Sequence, residues 1–144
     1  MPTGPESASV AEQFVLDAYA VLALLADEPG ADEVAALLAD ESIRFHVSAV
    51  NVGEIVYVLL RRAGEQAAAA AESAVYDHPR ITVAGATRDR IRAAAAIKAR
   101  GGLSLADAFA AALAEEVASP LITGDPEFKR MESGTILIRW LPRR

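Results

Sequence analysis

Short apolar segments alternate with longer helical patterns along the chain, and no other feature of the sequence constrains the fold as strongly. Short apolar runs are typical of buried strands, whereas the segments between them have the length and periodicity of helices. Strands that alternate with helices favour a parallel sheet covered by helices. We therefore predict a three-layer α/β/α sandwich around a central, mainly parallel sheet. The predicted strands are Phe14–Leu16, Ile43–Ser48, Ile81–Val83, Leu121–Thr123 and Ile136–Trp140.

Capping and helix-breaking residues mark the helices between these strands. Asp17, Thr87 and Ser104 each precede a helical pattern and are predicted N-caps, and Gly101-Gly102 ends the helix that Thr87 begins. The length of 144 residues fits one domain, which we place at residues 13–144 after a polar, flexible tail at residues 1–12. The predicted helices cover residues 18–26, 31–39, 51–62, 66–76, 88–100 and 105–117.

The composition limits where the protein works and which chemistry it uses. The N-terminal residues have neither the basic nor the apolar segment of a secretory signal, and no apolar run reaches the length of a membrane span. The chain contains no cysteine, so we expect a protein of the reducing cytoplasm with no membrane partner. With only two histidines, a zinc site is poorly supported, and no hydroxyl residue has a nearby histidine base for a nucleophilic triad.

Four of the 20 acidic residues lie among apolar neighbours rather than in mixed, polar segments, namely Asp17, Glu54, Asp107 and Asp125. A carboxylate in apolar surroundings must be paired, hydrogen-bonded, protonated or bound to a metal, because an isolated buried charge is very unfavourable. No cationic residue lies within a helical turn of the first three, so local ion pairs are not available to them. The pattern therefore indicates a carboxylate site.

Three of these acids also have a purely structural explanation. Asp17 can serve as an N-cap, Asp107 forms a Ser-x-x-Asp pattern that resembles a capping box, and Asp125 lies in a Gly-Asp-Pro turn. Glu54 differs, because it lies in the middle of a predicted helix where capping does not account for it. Asp17 and Asp125 also follow predicted strands directly, and ligands bind at the carboxyl ends of strands in parallel sheets.

The formal net charge of −6 argues against nucleic-acid binding through a basic face. This argument weakens if the acids bind divalent ions, because such ions reverse the local charge. Hard divalent cations prefer oxygen ligands, and Mg²⁺ in particular is held by a few carboxylates together with water and substrate phosphate. The acids therefore predict a site for a hard divalent ion.

Four blocks of sequence contain these acids in order. They are Val-Leu-Asp-Ala-Tyr-Ala-Val-Leu-Ala-Leu-Leu (15–25), Ser-Ala-Val-Asn-Val-Gly-Glu-Ile (48–55), Lys-Ala-Arg-Gly-Gly-Leu-Ser-Leu-Ala-Asp-Ala-Phe-Ala-Ala-Ala-Leu-Ala (98–114) and Leu-Ile-Thr-Gly-Asp-Pro-Glu-Phe (121–128). Over residues 14–141 the chain resembles the PIN-domain proteins, and specifically the VapC toxins of bacterial toxin–antitoxin pairs. The resemblance implies a PIN-like α/β/α sandwich, Mg²⁺- or Mn²⁺-dependent endoribonuclease activity, a homodimer, and neutralisation by a cognate VapB-type antitoxin.

Carried over position by position, the resemblance implies that Asp17, Glu54, Asp107 and Asp125 are the catalytic acids. Asp17, Asp107 and Asp125 are then the metal ligands, whereas Glu54 binds a second ion or orients the attacking water. Thr123 falls on the hydroxyl that commonly precedes the last acid, and it belongs to the predicted site. The implied reaction hydrolyses an RNA phosphodiester and leaves a 5′-phosphate and a 3′-hydroxyl.

Further contacts are expected around the acids. Asn51 lies one turn before Glu54, at a position that can face the same site. The resemblance also implies that a C-terminal segment of the antitoxin occupies the acidic groove, with an arginine against the carboxylates. Candidate RNA contacts are the basic residues Arg61, Arg62, Lys98, Arg100 and Lys129.

Two other functions remain open at the level of sequence. A catalytically inactive PIN-like module that only binds partners would share this pattern, although all four acids are present. A receiver-type phosphoacceptor domain is also an α/β protein with acids at strand ends. That class needs a late lysine at the end of a strand, whereas Lys129 follows a Gly-Asp-Pro turn.

Overall fold

The fold is built on a five-stranded sheet. The computed structural model describes residues 11–131 and 134–142 of the chain. In the sheet order β3-β2-β1-β4-β5, every neighbouring pair of strands is parallel. The predicted sandwich is therefore confirmed, with a sheet that is parallel throughout. The strands are β1 (Glu12–Leu16), β2 (Ile43–Ser48), β3 (Ile81–Ala84), β4 (Leu121–Thr123) and β5 (Ile138–Trp140).

Helices connect the strands, and their ends follow the capping residues predicted from the sequence. Asp17, Thr87 and Ser104 each accept a backbone N–H from the first turn of the following helix, at 2.9, 3.3 and 3.1 Å. In the part of the chain that is described, no helix is long and apolar enough to cross a membrane. The helices are α1 (Ala18–Leu25), α2 (Ala31–Ala39), α3 (Ala49–Arg62), α4 (Glu65–Asp77), α5 (Arg88–Ala99) and α6 (Leu105–Glu116), followed by a short 3₁₀ helix at Pro126–Met131.

The observed boundaries differ from the predicted ones in a few places. β1 begins at Glu12, and residues 1–10 of the predicted tail lie outside the described residues. α3 begins at Ala49, earlier than predicted, because the Ser48 side chain accepts the N–H of Val50 at 3.2 Å and caps the helix there. β5 is shorter than predicted. The 3₁₀ helix after β4 was not predicted, and it carries an acid, Glu127, that the sequence did not single out.

Side chains that alternate along the strands fill one core on each face of the sheet. Phe14 and Leu16 of β1 belong to the core beneath α1, α2, α3 and α4, whereas Val15 between them belongs to the core beneath α5 and α6. The ring of Phe14 stacks on that of Phe45 in β2, with 6.5 Å between the ring centroids. Burial on both faces explains why the strands read as apolar runs rather than as alternating patterns.

Small side chains allow α6 to lie deep in the molecule. Ala108, Ala110 and Ala111 are fully buried in the core that α6 shares with α5 and the sheet. Because these side chains occupy little volume, the helix backbone can approach its neighbours closely at normal packing density. The close packing also fixes the first turn of α6, which carries Asp107.

Arg80 makes hydrogen bonds at the end of the sheet where the parallel strands begin, which we call the amino edge. Its guanidinium donates hydrogen bonds to the carbonyl oxygens of Leu38, Asp40 and Ile43, at 2.8 Å for the last two. These carbonyls belong to the end of α2, the following turn and the start of β2. Arg80 therefore holds the connection between α2 and β2 at the edge of the sheet opposite the acids.

Candidate metal centre

The register of the central strands brings Asp17 and Thr123 to the same carboxyl edge of the sheet. Leu16 of β1 pairs with Ile122 of β4, so the residues that follow them are neighbours. The Thr123 hydroxyl donates a hydrogen bond to Asp17 Oδ2 at 2.5 Å. The same hydroxyl oxygen accepts the backbone N–H of Asp125 at 3.0 Å. Thr123 therefore joins two of the predicted acids through one buried side chain.

Asp17 serves the helix and the site with different oxygens. Its Oδ1 accepts the N–H of Ala20 at 2.9 Å and caps α1, while Oδ2 accepts the hydrogen bond from Thr123. The residue is only 1% exposed. The N-cap and the carboxylate site are therefore compatible interpretations of this residue.

Asp107 and Glu54 approach the same edge from two packed helices. Asp107 lies in the first turn of α6 and is only 9% exposed. Its backbone N–H donates to the Ser104 side chain, so the predicted cap is present beside the acid. Glu54 lies in the middle of α3, which packs against α6, and it is half-buried. The Ser104 side chain also hydrogen-bonds the Asp107 carboxylate and lowers its pKa, against the larger rise that burial causes. The capping contact and a place in the carboxylate site are therefore compatible for Asp107.

A fifth acid, Glu127, joins the cluster from the 3₁₀ helix. Asp125 Oδ1 accepts the backbone N–H of Glu127 at 2.9 Å, which is the local turn that aspartate commonly forms two residues on. One carboxylate oxygen each from Asp107, Asp125 and Glu127 lies within 4.8 Å of the other two. Glu127 was not among the site residues predicted from the sequence, where its one signal was the Asp-Pro-Glu spacing that produces this turn.

Gly124 permits a close contact that packs the last acid block onto α1. A Cβ built on Gly124 would overlap the ring of Tyr19 at Cε1, which no real contact allows. The glycine therefore lets the Tyr19 ring lie directly against the backbone between Thr123 and Asp125. This contact explains why a glycine stands between the hydroxyl and the acid.

Burial and mutual repulsion strongly raise the pKa values of Asp17 and Asp107. Burial raises the pKa of Asp17 to about 7, against the hydrogen bond from Thr123, and the charges of Asp107 and Asp125 raise this pKa further. Burial likewise raises the pKa of Asp107 to about 7, followed by the charge of Asp125 and, less strongly, those of Glu54 and Glu127. Such mutual effects place these carboxylates in one electrostatic environment.

Asn51 lies among the acids as a buried amide. It is 0% exposed, and its Nδ2 donates to the carbonyl oxygen of Ala106 at 3.1 Å. A hydrogen bond from Asn51 also lowers the pKa of Glu54, against the larger rise that burial and then the charge of Asp125 cause. The Asn51 Oδ1 atom is buried and has no hydrogen-bond partner among the described residues.

The donor set fits a hard divalent cation. Among the described residues, none of these acids forms a salt bridge with a lysine or arginine. The salt bridge found there joins Arg90 to Glu116, which is not one of these acids. Oxygen atoms from several carboxylates, partly desolvated and uncompensated, are the ligands that Mg²⁺ and Mn²⁺ prefer. The structure brings together Asp17, Glu54, Asp107, Asp125 and Thr123 as predicted, although the role of each as ligand or catalyst stays a prediction.

The basic residues named from the sequence lie in different surroundings. Arg61 lies on α3, where its guanidinium donates to the Tyr57 hydroxyl at 3.2 Å and lies 5.9 Å from the ring centroid. Lys98 donates to the carbonyl oxygen of Leu103 at 3.2 Å, in the loop before α6. Lys129 is exposed and lies in the 3₁₀ helix rather than at the end of a strand. This position disfavours a receiver-type site.

Comparison with known proteins identifies the family. Residues 14–133, most of the chain, match the PIN domain. The chain belongs to the PIN domain family. The match includes all four predicted acids of this PIN domain, and it confirms the family resemblance of the sequence. No curated protein matches the chain.

Solved structures similar to this PIN domain include proteins of toxin–antitoxin systems. VapC20 of Mycobacterium tuberculosis, a toxin that cleaves the sarcin-ricin loop, has a TM-score of 0.70 and 22% identity, covering 86% of this chain and 98% of that one. VapBC-5 of the same organism has a TM-score of 0.61 and 24% identity, covering 89% and 98%. DNA-bound VapBC of Salmonella typhimurium has a TM-score of 0.65 and 18% identity, covering 89% and 97%. At these identities the likeness concerns the fold.

Proposed function

We propose that this PIN domain is a divalent-metal-dependent endoribonuclease that acts in the cytoplasm as the toxin of a VapBC-type toxin–antitoxin pair. The observation that carries the proposal is the convergence of buried and half-buried acids at one edge of the sheet, without a basic partner among the described residues. A PIN domain with this donor set suits hydrolysis of an RNA phosphodiester, with a 5′-phosphate and a 3′-hydroxyl as products.

We assign metal binding to Asp17, Asp107 and Asp125, with Glu127 as a further ligand. Asp107, Asp125 and Glu127 offer oxygens within 4.8 Å of one another, and Asp17 lies beside them through Thr123. Mg²⁺ or Mn²⁺ bound there supplies positive charge that stabilises the phosphate and activates water. The protein's own contribution is to hold these carboxylates in place, whereas a bound cation would favour their ionised form.

Glu54 takes the role of orienting and deprotonating the attacking water, or of binding a second ion. It is the half-buried acid on α3, and burial raises the pKa of its carboxyl. A raised pKa suits a group that accepts a proton, because a more basic carboxylate is a stronger general base. A hydrogen bond from Asn51 lowers this pKa, against the larger rise that burial and then the charge of Asp125 cause.

The RNA contact that the structure favours runs along α3. Arg61 lies seven positions after Glu54, so the two side chains share one face of the helix. Tyr57, between them, is 56% exposed and supports the guanidinium through its ring and hydroxyl. An arginine beside an aromatic ring offers both phosphate and base contacts. Such contacts compensate for the net negative charge of the chain.

We assign a VapB-type antitoxin and a second copy of the chain as partners. Similar structures include VapBC complexes, and an acidic groove fits a basic segment that carries an arginine against the carboxylates. Light scattering of the purified chain tests the dimer. Co-purification with the product of the adjacent upstream reading frame tests the antitoxin.

The experiment that tests the function is cleavage of structured RNAs by purified protein in Mg²⁺ or Mn²⁺. We expect cleavage that EDTA abolishes and that Asp107→Asn lowers at least about 100-fold, since even residues that only support metal ligands commonly contribute roughly 10- to 100-fold. The matched control is Asp89→Asn, an exposed aspartate in the first turn of α5, which should cleave normally. Absence of metal-dependent cleavage in wild type would leave the inactive PIN-like binding module as the better function.

A further inference from the structure

A single buried side chain connects the helices that carry two of the acids. Asn51 lies in the first turns of α3 and is fully buried. Its Nδ2 donates at 3.1 Å to the carbonyl oxygen of Ala106, the residue before Asp107 in the first turn of α6. The amide therefore fixes α3 to the backbone of α6 at the point where the Asp107 side chain begins.

The same amide also reaches the acid on its own helix. Glu54 is three positions after Asn51, so the two side chains are neighbours on α3. A hydrogen bond from Asn51 lowers the pKa of the Glu54 carboxyl. An asparagine amide carries two N–H donors, enough for one bond to Ala106 and one to Glu54. One side chain thus lies beside Glu54 on α3 and donates to the backbone beside Asp107.

The side-chain oxygen of Asn51, unlike its amide nitrogen, makes no hydrogen bond among the described residues. Its Oδ1 is buried and has no hydrogen-bond partner among the described residues. A buried acceptor without a partner destabilises a fold, so an apolar residue of similar size would pack between α3 and α6 at least as well. Helix packing alone therefore does not explain an asparagine at this position.

We propose that Asn51 is a positioning residue that fixes Glu54 and Asp107 relative to each other across the α3–α6 contact. The inference rests on the proposed function for its role in catalysis, although its effect on metal binding is separate from RNA cleavage. Asn51 acts through the two carboxylates, because its amide donates to the backbone at Ala106 and lies one turn before Glu54 on the same face of α3. Its loss should change the geometry of the acids without removing any of them.

The test compares Asn51→Leu, which keeps a similar shape without donors or acceptor, with Val52→Ala on the same helix. Val52 is buried in the core beneath α1, α2, α3 and α4, whereas Asn51 faces α6. We expect Asn51→Leu to keep or raise the metal-free thermal midpoint, lower kcat roughly tenfold or more, and leave the KM for RNA within about twofold. Val52→Ala should lower the thermal midpoint, and at temperatures below that midpoint its kcat should equal that of wild type.

A second readout is independent of cleavage. The Mn²⁺ concentration that gives half of the metal-induced rise in thermal midpoint should increase several-fold in Asn51→Leu and remain at the wild-type value in Val52→Ala. Asn51→Ser removes the same contacts without adding apolar volume, and it should give the same separation of kcat from stability if Asn51→Leu does not fold.

Several results would overturn the inference. Asn51 is a packing residue if Asn51→Leu keeps wild-type kcat and Mn²⁺ response, or if its kcat falls only in proportion to its stability. A wild-type protein that cuts no RNA refutes the nuclease function instead. In that case the Mn²⁺ titration alone decides the inference, and a wild-type response in both Asn51 variants contradicts it.

Discussion

At Asp17 one carboxylate combines a helix cap with a place in the acidic cluster. Oδ1 accepts the N–H of Ala20, and Oδ2 accepts the hydroxyl of Thr123. Two hydrogen bonds favour the ionised form, yet burial dominates and raises the pKa of Asp17 to about 7. In the metal-free protein this side chain therefore takes up a proton near neutral pH.

The raised pKa predicts how the stability of the metal-free protein depends on pH. Between the ordinary aspartate pKa of 3.8 and the folded value of about 7, the folded state binds more protons than the unfolded state. The contribution of Asp17 to stability is therefore fully present below about pH 4 and is lost as the pH rises to about 7, by about 1.4 kcal/mol for each pKa unit.

Asp17→Asn isolates this contribution, because asparagine keeps the N-cap and cannot ionise. We expect the variant, measured in EDTA by thermal unfolding, to gain stability over wild type as the pH rises from about 4 to about 7. Asp89→Asn, an exposed aspartate in a first helical turn, should follow wild type at every pH. A difference in stability between Asp17→Asn and wild type that stays constant over this pH range would show that burial does not raise the pKa of Asp17.

From the sequence, the site residues that can be predicted are the acids that lie among apolar neighbours. An acid that joins the site through a local turn cannot be recognised in this way. Asp17, Glu54 and Asp107 stand out because apolar residues surround them without a cation nearby. Glu127 lies in a mixed, exposed segment, and only the Asp125 turn directs it into the cluster. Asn51 was noted for its spacing, but the unsatisfied Oδ1 needs coordinates to be seen.

At the scale of elements, local chemistry fixed most helix starts. N-cap side chains at Asp17, Thr87 and Ser104 begin α1, α5 and α6 as predicted. Ser48 shifted the start of α3, since a serine that ends a strand and caps a helix looks like part of either element. The 3₁₀ helix was missed because a Gly-Asp-Pro sequence indicates only a turn, and the conformation after that turn depends on tertiary packing.

The hydrogen bonds of Arg80 at the amino edge of the sheet predict that its substitution lowers the stability of the fold without changing the acidic site. Arg80→Ala removes the donors to three backbone carbonyls and should lower the free energy of unfolding by roughly 1–3 kcal/mol. Arg80→Lys should recover little, because one ammonium does not reproduce the planar guanidinium. Denaturant unfolding measures both variants.

The matched control for Arg80 is Arg44→Ala, an exposed arginine on β2, which should change stability by less than about 0.5 kcal/mol. Metal-dependent RNA cleavage should be normal in all three variants, because Arg80 lies at the edge of the sheet opposite the acids. Equal stability of Arg80→Ala and Arg44→Ala would refute the structural role of Arg80.

At the scale of the whole molecule, the alternation of strands and helices predicted the layers but not the strand order. Any order of five parallel strands satisfies the same pattern. The observed order places β1 beside β4, and the pairing of Leu16 with Ile122 brings Asp17 to Thr123. The site depends on this long-range register, which no local sequence signal specifies. Acids separated along the chain converge because the central strands are neighbours.

The converged acids should couple metal binding to the stability of the entire fold. Burial and, after it, the like charges of their neighbours raise the pKa values of Asp17 and Asp107, so the ionised cluster is unfavourable without a metal. A cation that binds only the folded state stabilises it by mass action, by about 2.7 kcal/mol at a concentration roughly 100 times its dissociation constant. Substituting one acid should remove much of this gain and relieve some repulsion.

The most direct test is the thermal midpoint of the protein across a Mn²⁺ titration at neutral pH. We predict a rise with Mn²⁺ for wild type and for the control Asp89→Asn. Asp107→Asn should have a higher midpoint in EDTA and respond little to Mn²⁺. No rise in wild type, or an equal rise in Asp107→Asn, would contradict the claim that the acids of this PIN domain share a divalent ion.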